Sequence, residues 1–311
     1  MPPTPASPPV IHVIDSPRVD AYRPKVVYTY DGPPRMWHKA LGPDNLLFQF
    51  GLFDEEELAA GPTPGTVGPS EVRHFDRQLE IAGLTGADRP RIHRILDLGC
   101  GWGYLSRHLA EHFPEARTVD AVNISERQLE YCAERLAGHE LADRIRLFLC
   151  NGQDVDLLPE PDIPYDLVVV RGVYTHFLND VFEASVKAVS KRLRAGGLLV
   201  VSDTLYKGSL TAYSSAIPDT VDRLACANRK SPAYFARVLE EHGLILEDMR
   251  IMPSNAEVVH WFGKVRLNIE EHFPGGVSGP IDELREMAVS FSDSLARDKA
   301  SVYSIITRRA A

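Results

Sequence analysis

Ile95–Ser125 reads ILDLGCGWGYLSRHLAEHFPEARTVDAVNIS. An apolar run carries Asp97 and ends in a turn where Gly99, Gly101 and Gly103 alternate with other residues, and a helical pattern follows. Glycines in such a turn let backbone approach a ligand closely, and the first N–H groups of the helix point at it. The turn can hold a phosphate, an adenosine or nothing. A dinucleotide fold prefers G-x-G-x-x-G with an acidic residue about 20 positions on. Here the spacing is G-x-G-x-G behind an aspartate, and no P-loop lysine follows.

Working outward, strands and helices alternate. RIHRILDLG reads as a strand, 104–112 as a helix and ARTVDAVN as a strand. Residues 125–137 place Leu129, Cys132, Ala133 and Leu136 on one helical face. RIRLFLC and YDLVVVR are strands, and 179–194 carries a stripe of Phe182, Val186, Val189 and Leu193. AGGLLVVSD, 244–252 and ASVYSIITRR are further strands; EVVHWFGKVRLNIEEHF is a helix with Val259, Phe262, Val265 and Ile269 at helical spacing. Buried strands alternating with helices imply an α/β, doubly wound, mostly parallel sheet.

Composition narrows the function. The chain has 311 residues, 44% hydrophobic and 25% charged, enough for one elaborated α/β domain. A net charge of -9 argues against non-specific nucleic-acid binding. Cys100, Cys132, Cys150 and Cys226 have no metal-ligand spacing, so a cytosolic protein with reduced thiols and no metal site is expected. No basic segment followed by an apolar run opens the chain, and no apolar run is long enough to span a membrane.

The D-L-G-C-G-x-G pattern of Asp97–Gly103 resembles the first motif of class I S-adenosylmethionine-dependent methyltransferases. The resemblance covers 28–206 well and the remainder in outline. It implies a Rossmann-like sheet of seven strands, with S-adenosylmethionine held by Asp97, Gly99 and Gly101. AVNISERQLEYC is similar to the family's G-V-D-I-S-x-x-Q-L form, with Asn123 where an acidic residue often binds the ribose diol. Gln128 is either a second ribose contact or the end of a Ser125-x-x-Gln128 capping box. At the third strand, LCNGQDVDLLP brings Gln153 and Asp154 to the adenine, with a solvated loop as the alternative for Asp154. At the fourth, VVVRGVYTHF resembles the cyclopropane-synthase form G-A-F-E-H-F with Thr175 for the glutamate. Arg171 and His176 then lie at the carboxyl edge of the sheet, with Arg171 toward the cofactor. His176 is either a base or a hydrogen-bonded structural histidine.

The segment YTYDGPPRMWHKALGPDNLLFQFGLF is similar to the lid that precedes the cofactor domain in cyclopropane-synthase, tocopherol and sugar methyltransferases. That similarity turns Tyr28, Tyr30, Phe48 and Phe50 toward the sulfonium and the substrate, with Tyr30 the preferred contact; Tyr206, Tyr213 and Trp261 are further wall candidates. Aromatic faces attract cations. Many aromatics and few bases favour a small hydrophobic acceptor, C-methylation of an isoprenoid alkene among the readings, with a loose resemblance to bacterial secondary-metabolism enzymes. The alternatives are O- or N-methylation with His176 as base, and a catalytically silent binding protein. Three regions are expected: a proline-rich arm over 1–24, lid and helices over 25–82, and a cofactor domain over 83–311 with lid insertions near 204–240 and 254–295. Within the arm, Val10, Ile11, Val13 and Ile14 need covering, either by the chain's own lid or by a second subunit in a homo-oligomer that exchanges arms.

Overall fold

A computed structural model describes residues 8–43, 45–207, 222–226 and 228–311. Its sheet comprises β1 (Ile11–Val13), β2 (Arg94–Leu98), β3 (Thr118–Asn123), β4 (Ile145–Leu149), β5 (Tyr165–Arg171), β6 (Leu193–Tyr206), β7 (Leu244–Ile251) and β8 (Ala300–Arg309). The order is β1-β4-β3-β2-β5-β6-β8-β7, parallel except for β8, which runs antiparallel to both β6 and β7. β2 is buried along its whole length because helices cover both faces. Ile95 packs with Leu105, Leu109 and Leu129 on one side, and Leu96 and Leu98 with Phe182, Val186 and Phe235 on the other. The period of two therefore leaves Asp97 on the Ile95 face, at the carboxyl end of a central strand.

The helices are α1 (Arg23–Tyr30), α2 (Pro34–Leu41), α3 (Glu55–Ala60), α4 (Gly68–Ile81), α5 (Tyr104–His112), α6 (Glu126–Leu136), α7 (Asn179–Arg192), α8 (Pro232–Glu241), α9 (Asn255–His272) and α10 (Pro280–Ala296). Helices α9 and α10 fall between β7 and β8 and pack with α2 into a third core around Trp37, Trp102, Trp261, Phe262 and Phe291, above the sheet edge. Ser254 and Glu257 start α9 with a reciprocal capping box. Glu257 also accepts the Phe53 N–H at 3.0 Å, which fixes the lid helix to the aromatic segment.

The expected count of seven strands is corrected to eight, and the extra strand comes from the arm. Ile11, His12 and Val13 pair in parallel with Leu147, Phe148 and Leu149 of the same chain. The β-branched piece inside the proline-rich surround has the propensity for this, and β4 would otherwise offer an unpaired edge. Ile11 and Ile14 join the two cores, whereas Val10 and Val13 are 70% and 62% exposed. Beyond the strand, Arg18 donates to Asp154, Asp156 and the Gln153 carbonyl, and Asp20 accepts from Asn151 at 2.7 Å. No helix of the described residues is long and apolar enough to cross a membrane.

Candidate active site

The three glycines of the turn do different work. All have positive φ: Gly99 at 79°, Gly101 at 56° and Gly103 at 81°. A Cβ on Gly99 would meet Val173 at 2.2 Å, and one on Gly103 would meet the Cys132 sulfur at 2.1 Å. At Gly101 a Cβ would meet nothing within 4 Å. Gly99 and Gly103 are thus demanded by packing, whereas Gly101 is favoured by its φ and borders open space. That space is a cleft of about 910 Å³, its open mouth included, at the carboxyl ends of β2, β3 and β5, where α/β sheets bind ligands. Asp97, Gly99, Gly101, Asn123, Gln128, Arg171, Tyr30 and His176 all line it.

Asn123 is already committed. Its Oδ1 accepts the Ile124 N–H at 2.7 Å, and its Nδ2 donates to the Gly101 carbonyl at 3.1 Å and to Gln128 Oε1 at 2.9 Å. It ties the glycine turn to the start of α6. Ser125 Oγ accepts the Gln128 N–H, but the Gln128 side chain turns to Asn123 instead of closing a capping box. Gln128 Oε1 being taken, its Nε2 is the donor left to the cleft. A carboxylate is missing at this position, yet an N–H donor suits a ribose oxygen.

At the opposite end Asp97 is buried, and burial pushes its carboxyl up to about 6, against a 2.6 Å hydrogen bond from Ser106 and the charge of Arg171. Arg171 is buried too, and desolvation brings it down to about 10 despite Glu71 and Asp97. Its guanidinium donates to Gln78 Oε1 and lies 5.1 Å over the Phe75 ring. Glu71 accepts from Trp261 Nε1 at 2.7 Å and the Gln49 N–H at 3.3 Å; burial raises it to about 8. A cation beside a cleft of buried acids suits the carboxylate of a methionine-type ligand. With the open space at Gly101 and the free donor at Gln128, these residues fit S-adenosylmethionine.

Tyr30 and His176 stand where this cleft meets a second one of about 530 Å³. Phe48, Gln49 and Gly172 also line both. The second cleft adds Phe50, Tyr206, Phe262 and Phe291, with Thr175, Cys226, Asp203 and Thr204 as polar neighbours. Asp203 is held by the N–H groups of Tyr174, Thr175 and Thr204. His176 Nδ1–H donates to the Ala225 carbonyl at 2.9 Å, so Nε2 carries the lone pair, 3.3 Å from the Tyr30 hydroxyl. Burial brings His176 down to about 4, and it is neutral at physiological pH. Leu224 and Ala225, which present that carbonyl, have φ of 53° and 54°, an uncommon conformation for residues with a Cβ. Glu283 of α10 accepts the Leu224 N–H at 2.6 Å and holds the turn.

Four of the expected contacts stand away from the two clefts. Gln153 and Asp154 are not among the residues that line the cleft: Asp154 pairs with Arg18, and the Gln153 side chain is buried with its Nε2 making no hydrogen bond. Trp261 is fully buried and stacks behind Phe48 at 5.7 Å, so it supports a wall without forming it. Tyr28 is 65% exposed, since α1 turns only its neighbours inward. Tyr213 and 208–221 of the expected lid lie outside the described residues. Sequence reasoning missed Gln49, Trp102 and Phe177, which line the cofactor cleft. Trp102 sits inside the glycine motif, Phe177 ends the VVVRGVYTHF motif and Gln49 lies in the lid segment, but none was singled out by residue type.

Residues 95–197 match the family model described as a methyltransferase domain. The chain is 27% identical to the methyltransferase GfsG of Streptomyces halstedii over 43% of its own length and 46% of that protein's. It spans about half the length of the curated relatives it matches. Its fold is similar to the cyclopropane synthase MmaA2 of Mycobacterium tuberculosis, with TM-score 0.76 and 14% identity over 94% of this chain and 99% of the other. It is also similar to the geranyl diphosphate C-methyltransferase of Streptomyces coelicolor A3(2), with TM-score 0.69 and 16% identity over 95% and 100%. Residues 95–197 thus match a methyltransferase domain, and the chain around them shares the fold of these solved methyltransferases.

Proposed function

We propose that the protein transfers a methyl group from S-adenosylmethionine to an alkene carbon of a small, uncharged, largely apolar acceptor. The observation that carries this reading is the wall of the second cleft. Tyr30, Phe48, Phe50, Tyr206, Phe262 and Phe291 surround it, and no lysine or arginine is among its described lining residues. The segment 208–221 contains no lysine, arginine or histidine either. A diphosphate acceptor, like that named for the geranyl diphosphate enzyme, would need a side-chain cation or a metal ion beside it, and the described wall supplies no lysine or arginine for that task.

When bound, S-adenosylmethionine supplies an electrophilic methyl on a sulfonium. Arg171 and Asp97 hold its amino-acid end, Gln128 its ribose, and Gly101 leaves it room. In the second cleft the aromatic faces stabilise the positive charge left on the acceptor carbon, each worth about 0.5–2 kcal/mol. His176 Nε2 then takes a proton from the adjacent carbon. A weak base suffices there, because a carbocation is a far stronger acid than an alcohol or an ammonium.

A second reading, O- or N-methylation, draws on the His176 lone pair beside the Tyr30 hydroxyl. Kinetics of His176→Ala separate the two. Proton loss after methylation is fast, so the first reading expects kcat to fall less than about threefold, whereas general-base catalysis at a heteroatom is worth about 10²–10⁴-fold. Tyr30→Ala is expected to lower kcat more than it raises KM, since charge develops only in the transition state. Full cofactor binding with no turnover on a panel of alkene, phenol, amine and carboxylate acceptors would leave the silent binding protein.

A further inference from the structure

Outside the clefts, one cluster brings together side chains that suit a metal. His108 and His112 lie on consecutive turns of one face of α5, the i, i+4 spacing by which a helix presents two imidazoles to one ion. Asp76 of α4 stands opposite them. One ligand atom from each of the three lies within 4.8 Å of the other two. Around a shared ion, bonds of about 2.0–2.2 Å put ligand atoms roughly 3–3.5 Å apart. The gap is closed by rotation of side chains that have room: Asp76 is 46% exposed and His108 18%. At present His108 Nε2 pairs with Asp76 at 2.7 Å, and His112 Nε2 contacts the Leu84 carbonyl at 3.2 Å. An ion would replace both contacts, with each ring proton held on Nδ1.

The electrostatics point the same way. His112 is the last residue of α5, where unpaired carbonyls and the helix dipole favour a cation. Two imidazoles and one carboxylate select a first-row divalent ion such as zinc over magnesium or calcium, which prefer all-oxygen sites. We propose that Asp76, His108 and His112 form a zinc-type site that ties α4 to α5 on the surface of the domain. Its place gives it a structural consequence. α5 starts at the glycine turn, and α4 carries the Glu71 and Gln78 that hold Gln49 and Arg171. An ion there braces the two helices behind the cofactor cleft.

The test uses the untagged full chain, stripped with chelator and dialysed. Titration with zinc by calorimetry, and with cobalt by visible absorption, is expected to show one ion per chain with a dissociation constant of about 10 μM or tighter. Zinc is expected to raise the melting temperature, and millimolar magnesium to leave binding unchanged. His108→Ala and Asp76→Asn are each expected to weaken zinc at least tenfold, since even the outer partners of metal ligands are worth about 10–100-fold. Circular dichroism and S-adenosylhomocysteine affinity serve as controls for folding and should be unchanged without metal. No saturable zinc binding below about 100 μM, or binding that survives both substitutions in folded protein, overturns the site.

Discussion

Gly101 and Gln128 are the residues whose roles are read most directly from geometry. At Gly101 the φ of 56° opposes a side chain, and the open space beside it is where a ligand would lie. Gly101→Val is expected to abolish S-adenosylhomocysteine binding in calorimetry and to keep the circular dichroism of a folded chain at some cost in stability, because no protein atom is displaced but a β-branched residue is strained at positive φ. Gln128→Leu removes the one cleft donor that Asn123 orients. A net hydrogen bond is worth about 0.5–1.5 kcal/mol, so affinity is expected to fall roughly 3–10-fold. An unchanged dissociation constant would move the ribose contact elsewhere. Asn123 illustrates what sequence reading can and cannot reach: its position after β3 was legible, but its full engagement with Gly101, Ile124 and Gln128 depends on how two loops meet.

Among the elements, the arm decides the most. β1 extends the sheet, and Arg18 then reaches the turn Gly152–Leu157 beside the cofactor cleft. Asp154 is fully buried, so removal of its partner leaves an acceptor desolvated. Arg18→Ala is expected to cost about 1–2 kcal/mol in urea denaturation, toward the low end because Arg18 is 36% exposed and water screens the pair. Cofactor affinity should weaken alongside. Loss of neither would reduce the arm to an edge strand with no influence on the site. The β-branched residues of the arm signal a strand from the sequence; that it pairs with β4 does not follow from any local pattern, since the partner lies more than a hundred residues away.

Across the whole molecule, buried titratable groups set how stability responds to pH. Burial raises Glu71 to about 8 and Asp97 to about 6, so the folded chain keeps protons that the unfolded chain has released. Their contribution is therefore present at low pH and lost as pH rises through those values. His176 acts in the opposite sense. Burial lowers it to about 4, the unfolded chain takes its proton first, and stability falls as pH drops below the ordinary histidine range. Above pH 6.5 Glu71 dominates among the three. Glu71→Gln keeps an acceptor for Trp261 and Gln49, and is expected to flatten the decline in stability between pH 6.5 and 8 seen in the parent by urea denaturation. An identical slope in both proteins would contradict a raised Glu71.

The sequence by itself determined the seven strands from 94 to 309, their alternation with helices, the glycine turn and the residues at the carboxyl ends of β2, β3 and β5. Those features are local: periodicity of two or 3.6, and glycine where backbone must turn. Tertiary structure decided which of the candidates face space. It placed Trp261 behind Phe48, gave Asp154 to the arm, and assembled the second cleft from Tyr30, Phe50, Tyr206 and Phe291, which are far apart in the chain. It also brought Asp76 beside His108 and His112, although the His-x-x-x-His spacing on α5 was visible in the sequence. The physical reason is the same in each case: an aromatic or carboxylate residue has no periodic signature of its own role, and its neighbours are chosen by how the lid core packs over the sheet.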